Sequence, residues 1–225
     1  MISENLNRVK ERIGRAAERI GKSARDIVLV CVAKNATPAQ IEEALAAGAA
    51  DIGENYVQDA LAKFKAIEFR ARWHLIGHLQ TNKAKHAVRI FDMIHSVDSV
   101  KLAHEISRFA AAMKTEKKVL VEVKTSEEAT KTGVAPEGLL PLLEGISRLP
   151  NIKVSGLMTM APFSEAPESS RPYYERLRKL SMLVSGKRIP NIHMEYLSMG
   201  MSQDFEVAIE EGANIVRIGR AIFGA

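Results

Sequence analysis

With one cysteine, the chain can form no disulfide with itself, and Cys31 lies in an apolar run where it reads as a small core residue. No apolar run approaches the roughly 20 residues that a bilayer-crossing helix needs. The N-terminus, Met1-Ile-Ser-Glu-Asn-Leu-Asn-Arg-Val-Lys10, lacks the apolar core of a secretory signal. These absences lead to the expectation of a cytoplasmic protein with no membrane partner. A net charge of +5 gives a general affinity for anions. The lysines and arginines are scattered, however, with no basic tail and no patch interleaved with aromatics, so no nucleic-acid partner is expected. None of the six histidines forms an i, i+4 pair with a matching acid, so no metal is expected either. Nucleophile elbow, Walker motif and GxGxxG are all missing. The adjacent carboxylates Glu127-Glu128 and Glu210-Glu211 read as solvated, in a loop and at a helix end.

What is present is ordinary in composition and regular in order. Hydrophobic residues make up 46% of the chain and charged residues 26%, as in a typical globular protein. The length of 225 residues fits one domain over 1–225 with a substantial core. Leu6, Val9, Ile13, Ala16, Ala17 and Ile20 stand at helical spacing and predict an amphipathic helix over 3–22, ahead of the first strand. Strands are then predicted at 27–34, 51–53, 73–77, 92–95, 118–124, 153–158, 193–197 and 215–218. Helical patterns start near Pro38, Glu54, Gln80, Ser99, Pro136 and Gln203. Eight such units imply a (β/α)8 TIM barrel with an extra N-terminal helix. The same alternation also allows a doubly wound open sheet. After strand six, 161–172 is rich in Pro, Ser and Glu and reads as a mobile loop on the side where a barrel keeps its site.

The first strand, Ile27-Val-Leu-Val-Cys-Val-Ala-Lys34, organises the functional reading. Alternation puts Val28, Val30, Val32 and Lys34 on one face. A lysine at a strand's carboxyl end among apolar neighbours loses solvation, and its neutral amine then attacks carbonyls. The plainer alternative is a lysine whose stem covers apolar surface on its way to water. On strand eight, parity places Arg217 and Gly219 on the face of Ile215, and Gly219 leaves room for a ligand. The turn Ser198-Met-Gly-Met-Ser202 precedes a helix N-terminus and reads as a phosphate cradle. Together these features describe a site for an aldehyde that carries a phosphate.

At these residues the chain resembles the YggS/PROSC family of pyridoxal 5′-phosphate homeostasis proteins over nearly its whole length. The matching stretches are Val32-Ala-Lys34, Gly53-Glu-Asn-Tyr-Val-Gln58, Trp73-His-Leu-Ile-Gly-His-Leu-Gln80 with Asn82-Lys83, and His95-Ser-Val-Asp-Ser99. They continue with Gly156-Leu-Met158, Leu197-Ser-Met-Gly-Met-Ser202 with Asp204-Phe205, and Val216-Arg-Ile-Gly219 with Ile222-Phe-Gly224. The resemblance implies a single barrel like the N-terminal domain of alanine racemase, with pyridoxal 5′-phosphate held as a Schiff base on Lys34. It implies further that Arg217 faces the pyridine nitrogen and that Asn55 lies near the cofactor. The phosphate is expected at Ser198 and Met199 and at Gly219 and Arg220.

The chain departs from the family pattern at Asn35, usually Thr, and at Lys124-Thr-Ser-Glu127, where strand five is less charged in the family. At Arg220 the family has a small hydroxyl residue. The lysine-glycine element persists as Lys131-Thr-Gly133. The implied role is intracellular homeostasis of the cofactor, buffering it or delivering it to apoenzymes that need it, by a monomer without turnover. An arginine opposite the ring nitrogen keeps that nitrogen unprotonated and the ring a poor electron sink. Racemases with the same arginine also need a base from a second domain, which is not expected here. The rival readings are a weak amino-acid racemase or decarboxylase, a cofactor-free Schiff-base aldolase, and an RNA-binding protein.

Overall fold

The computed structural model describes residues 1–67, 71–128 and 132–224. Eight parallel strands close into a barrel in the order β1 to β8. They are β1 Val28–Val32, β2 Asp51–Glu54, β3 Arg72–Leu75, β4 Met93–Val97, β5 Lys117–Glu122, β6 Ile152–Met158, β7 Ile192–Ser198 and β8 Ile215–Ile218. Closure is made by β8 against β1, with Val28 opposite Ile215 and Cys31 opposite Ile218. That pairing is what an open doubly wound sheet lacks, so the alternation resolves in favour of the barrel. Along β1 the predicted parity holds. Val28, Val30 and Val32 join Ile76, Met93, Leu120, Met158 and Ile215 in the barrel interior. Leu29, Cys31 and Ala33 instead pack in the larger layer between strands and helices.

The helices are α1 Ile2–Arg19, α2 Pro38–Ala46, α3 Val57–Ile67, α4 Ala84–Ile90, α5 Val100–Ala112, α6 Leu139–Ile146, α7 Arg171–Lys187, α8 Phe205–Glu210 and α9 Arg220–Phe223. Their starts follow local chemistry. Thr37 and Gln40 form a capping box ahead of Pro38 at the first turn of α2. The Ser99 hydroxyl likewise accepts from the Leu102 N–H at the start of α5. The apolar stripe of α1 is buried against α8 and α9, and Arg12 reaches Glu206 on α8 with two bonds of 3.1 and 2.9 Å.

Two expectations change. The loop after β6 ends sooner than 172, because Arg171 and Pro172 already belong to α7, whose face of Tyr174, Leu177, Ser181 and Val184 is buried. Glu210 and Glu211 are partly buried in ion pairs and not freely solvated: Arg171 binds both, at 2.7 and 2.9 Å, and Arg19 and Arg178 add further ion pairs.

Candidate functional site

At the carboxyl end of the barrel lies a cavity of about 440 Å³, lined by residues that follow six of the strands. Lys34 comes from the turn after β1, Asn55 from the loop after β2, Ile76 from the end of β3, and Met160 and Phe163 from the loop after β6. Beyond β7 the chain contributes Met201, Ser202, Gln203 and Asp204, and from β8 onward Arg217, Gly219 and Arg220. The turn after β7 is forced by Gly200, whose φ of +92° is left-handed and whose missing Cβ would fall 2.6 Å from Ala208. Asp204 then fixes it, accepting the Met201 N–H at 2.7 Å and the Ser170 hydroxyl at 2.9 Å. Among the described residues, no acceptor meets the backbone N–H groups of Ser202, Gln203, Gly219 or Arg220. Four free donors at one rim suit an anion.

Arg217 forms the floor and is 4% exposed. Its Nη1 donates to Ser198 Oγ at 2.6 Å and its Nη2 to the Thr159 carbonyl at 2.9 Å. Both acceptors are neutral. Burial pulls its pKa down against Tyr174, Glu122 and Asp204, but a guanidinium stays charged in a protein. The cavity floor therefore carries a positive charge that, among the described residues, has no carboxylate within ion-pair distance. Under Ser198 lie His95, at 2.9 Å from its hydroxyl, then His74 and Asp51. Burial, His74 and Arg217 hold the His95 pKa well below the ordinary imidazole value. Burial pushes the Asp51 carboxyl up, but bonds from His74 and Arg72 outweigh it and hold it below its ordinary value.

Lys34 is exposed, not wrapped in apolar side chains as its parity suggested. The strand ends at Val32 and the chain turns at Lys34 and Asn35 before the α2 cap, which lifts the side chain to the rim. The turn is held from behind by Lys63 of α3. Its Nζ donates to the Ala33 and Lys34 carbonyls at 2.5 and 3.4 Å and meets Glu54 at 2.7 Å.

Of the other predicted site residues, Asn55, Arg217, Gly219 and Arg220 line the cavity, whereas Ser198 and Met199 do not. Both are completely buried. The Ser198 hydroxyl serves Arg217 and His95, and the Met199 N–H donates to the Ile215 carbonyl. Inward parity at the end of β7 puts Ser198 below the cavity, so the lining after β7 begins at Met201 and its free donors at Ser202. The missing Cβ of Gly219 faces Val32, with its carbonyl oxygen at 3.1 Å, so that glycine serves the approach of β1 more than that of a ligand.

Among the departures, Arg220 stands 6.0 Å from the Phe163 ring centroid at the rim, while Asn35, Lys124 and Glu127 lie outside the cavity lining. Lys131 lies outside the described residues. His78 is half exposed, 3.7 Å from Asp98. His74 and His95 stand in the matching stretches with no role assigned to them, although their spacing of two from the inward Ile76 and Met93 aims both inward. Among the described residues no group of side chains is arranged to hold a metal, and no helix is long and apolar enough to cross a membrane.

The family model described as alanine racemase, N-terminal domain, matches residues 4–225. The pyridoxal phosphate homeostasis protein of Aquifex aeolicus is 46% identical over 222 residues, 98% of this chain and 96% of that one. The protein of the same name from Pseudomonas aeruginosa is 39% identical over 225 residues, 100% of this chain and 95% of its own. The structure of PipY from Synechococcus elongatus PCC7942 with PLP bound is similar with a TM-score of 0.86 and 34% identity, covering 100% of both chains.

Proposed function

Since the chain belongs to the alanine racemase N-terminal domain family and, within it, to the pyridoxal phosphate homeostasis proteins, we propose that it holds pyridoxal 5′-phosphate as a Schiff base on Lys34 and buffers or delivers it without turnover. One observation carries the reading: a buried, charged Arg217 with only neutral partners forms the floor of a cavity that has a primary amine at its rim. The residues present fit the cofactor's three chemistries. Lys34 offers the amine for the aldehyde. Arg217 offers N–H groups and positive charge to the ring nitrogen. The free N–H groups of Ser202, Gln203, Gly219 and Arg220, with the Arg220 side chain, suit the phosphate. Asn55 lines the same cavity. Bound, the cofactor supplies an electron-withdrawing ring that stabilises carbanions best when its nitrogen is protonated. Arg217 opposes that protonation, which is why the proposed role is custody of the cofactor by a cytoplasmic monomer that hands it to apoenzymes.

Borohydride treatment of the protein loaded with cofactor, followed by peptide mapping, should place the adduct on Lys34, and Lys34→Ala should remove the visible absorbance. An adduct confined to another lysine would overturn the assignment. Pyridoxal without its phosphate should bind at least about 100-fold more weakly, the loss of two or more hydrogen bonds to a charged group. Equal affinity would remove the phosphate site. Appreciable turnover of an amino acid by the unmutated protein would place it with the racemases or decarboxylases.

A further inference from the structure

Five side chains, each no more than 4% exposed, run in series through the barrel from its amino-terminal end to the cavity floor. Asp51 Oδ1 lies 2.9 Å from His74 Nε2, and His74 Nδ1 lies 3.0 Å from His95 Nε2. His95 Nδ1 lies 2.9 Å from Ser198 Oγ, which accepts from Arg217 Nη1 at 2.6 Å. The step from His95 on β4 to Ser198 on β7 crosses the interior, since those strands are not neighbours.

The two ends determine the direction of every bond between them. An arginine only donates, so Ser198 Oγ accepts there. Asp51 is held as a carboxylate by two bonds from Arg72, at 2.7 and 2.6 Å, and only accepts, so His74 carries its hydrogen on Nε2. A neutral His74 then presents a bare Nδ1, which takes the hydrogen of His95 Nε2. His95 in turn presents a bare Nδ1, which takes the hydrogen of the Ser198 hydroxyl. Every donor meets an acceptor. With the direction reversed, a bare His74 nitrogen would face the Asp51 carboxylate, and Ser198 would receive two donors with no acceptor in the series for its own hydrogen. A doubly protonated His74 keeps the Asp51 bond but turns His95 round and strands the Ser198 hydrogen in the same way.

Charged groups surround both ends. Glu122, Tyr174 and Asp204 act on Arg217 electrostatically. At the amino-terminal end Asp92, Glu116, Lys117, Lys118 and Tyr196 share with Asp51, Arg72 and His74 a cavity of about 580 Å³.

We propose that Asp51, His74, His95 and Ser198 are positioning residues for Arg217, forming a one-way hydrogen-bond relay anchored by the Asp51–Arg72 pair. A carboxylate set directly against Arg217 would hold it in place but neutralise it. A hydroxyl fixed as an acceptor holds the guanidinium and leaves its charge directed at the cavity. The benefit to function rests on the pyridoxal phosphate reading, in which that charge keeps the ring nitrogen unprotonated. The relay itself does not depend on it.

The test is a two-bond proton–nitrogen correlation spectrum of the full chain labelled with 15N-histidine, at neutral pH, without and with pyridoxal phosphate. His74→Gln and His95→Gln assign the signals. Both rings should be neutral, with hydrogen on Nε2 and a bare Nδ1. Asp51→Asn should turn His95 round in a detectable share of molecules, whereas Ser198→Ala should leave His95 as it is. Both variants should retain pyridoxal phosphate about ten-fold less tightly or worse, the loss of one hydrogen bond to a charged group. Hydrogen on His95 Nδ1 in the unmutated protein would overturn the relay even if neither variant folds. Undiminished retention of cofactor by both folded variants would overturn its positioning role. A chain with the expected histidines that binds no cofactor would instead defeat the functional reading and leave the relay standing.

Discussion

In the pyridoxal phosphate reading proposed above, the charge of Arg217 would decide between a carrier and an enzyme. Were the ring nitrogen of bound cofactor to lie about 4 Å from it, at an effective dielectric of about 20, protonation would meet a repulsion of about 4 kcal/mol, or about three pH units. That would be enough to keep a pyridine nitrogen neutral at physiological pH. Arg217→Glu reverses the sign, and the variant, if it still binds cofactor, should gain exchange of the α-hydrogen of an added amino acid in deuterated water. Fast exchange in the unmutated protein would refute the logic. Cys31 shows the opposite case of a residue silenced by its surroundings. Burial, helped by Asp51, pushes its thiol up to about 12, so it is a packing residue.

At the scale of elements, the turn that presents Lys34 is held by a contact from another helix. Lys63 of α3 spans Glu54 at the end of β2 and two carbonyls of the β1–α2 connection. Glu54 is completely buried, and its second oxygen has no partner among the described residues. Burial pushes its pKa up although Lys63 pulls it down. Lys63→Met should therefore destabilise the protein by about 3 kcal/mol, because the carboxyl is left buried and unpaired. A urea titration checks this. Adding Glu54→Gln should recover part of the loss, since the pair and not the lysine alone is what matters. Additive losses would mean that the two side chains do not act as a pair.

Across the whole molecule, the polar series inside the barrel links stability to pH. An unfolded histidine titrates near 6.5, but folded His95 is held neutral well below that value. Between those two points the unfolded chain binds a proton that the folded one refuses, so stability falls as pH drops below about 6.5, by up to about 1.4 kcal/mol per unit. Glu54 and Glu122 work in the other direction. Their raised values add stability at low pH that is lost as pH rises through them. The histidine's share is isolated by comparison with His95→Gln. Between pH 7.5 and 5.5 the variant should lose stability less steeply than the parent, and equal slopes would show that His95 does not carry the linkage.

What the sequence determined by itself is whatever depends on near neighbours. Helix caps at Thr37 and Ser99, the two-residue alternation along β1, and the inward parity of Arg217 all follow from residues within a few positions of one another. The alternation of strands and helices, together with the family motifs, likewise points to a barrel and to Lys34. Tertiary structure decided the rest, because closure sets residues face to face that are far apart in the chain. The bond between His95 and Ser198 spans 103 positions and exists only because β4 and β7 face each other across the barrel interior. Ser198 likewise meets His95 and Arg217 instead of lining the cavity, since what lies opposite a strand's last residue is fixed by the closed barrel and not by the strand. Lys34 reaches the rim because its strand stops two residues early, and Lys63, 29 positions away, holds the turn that follows.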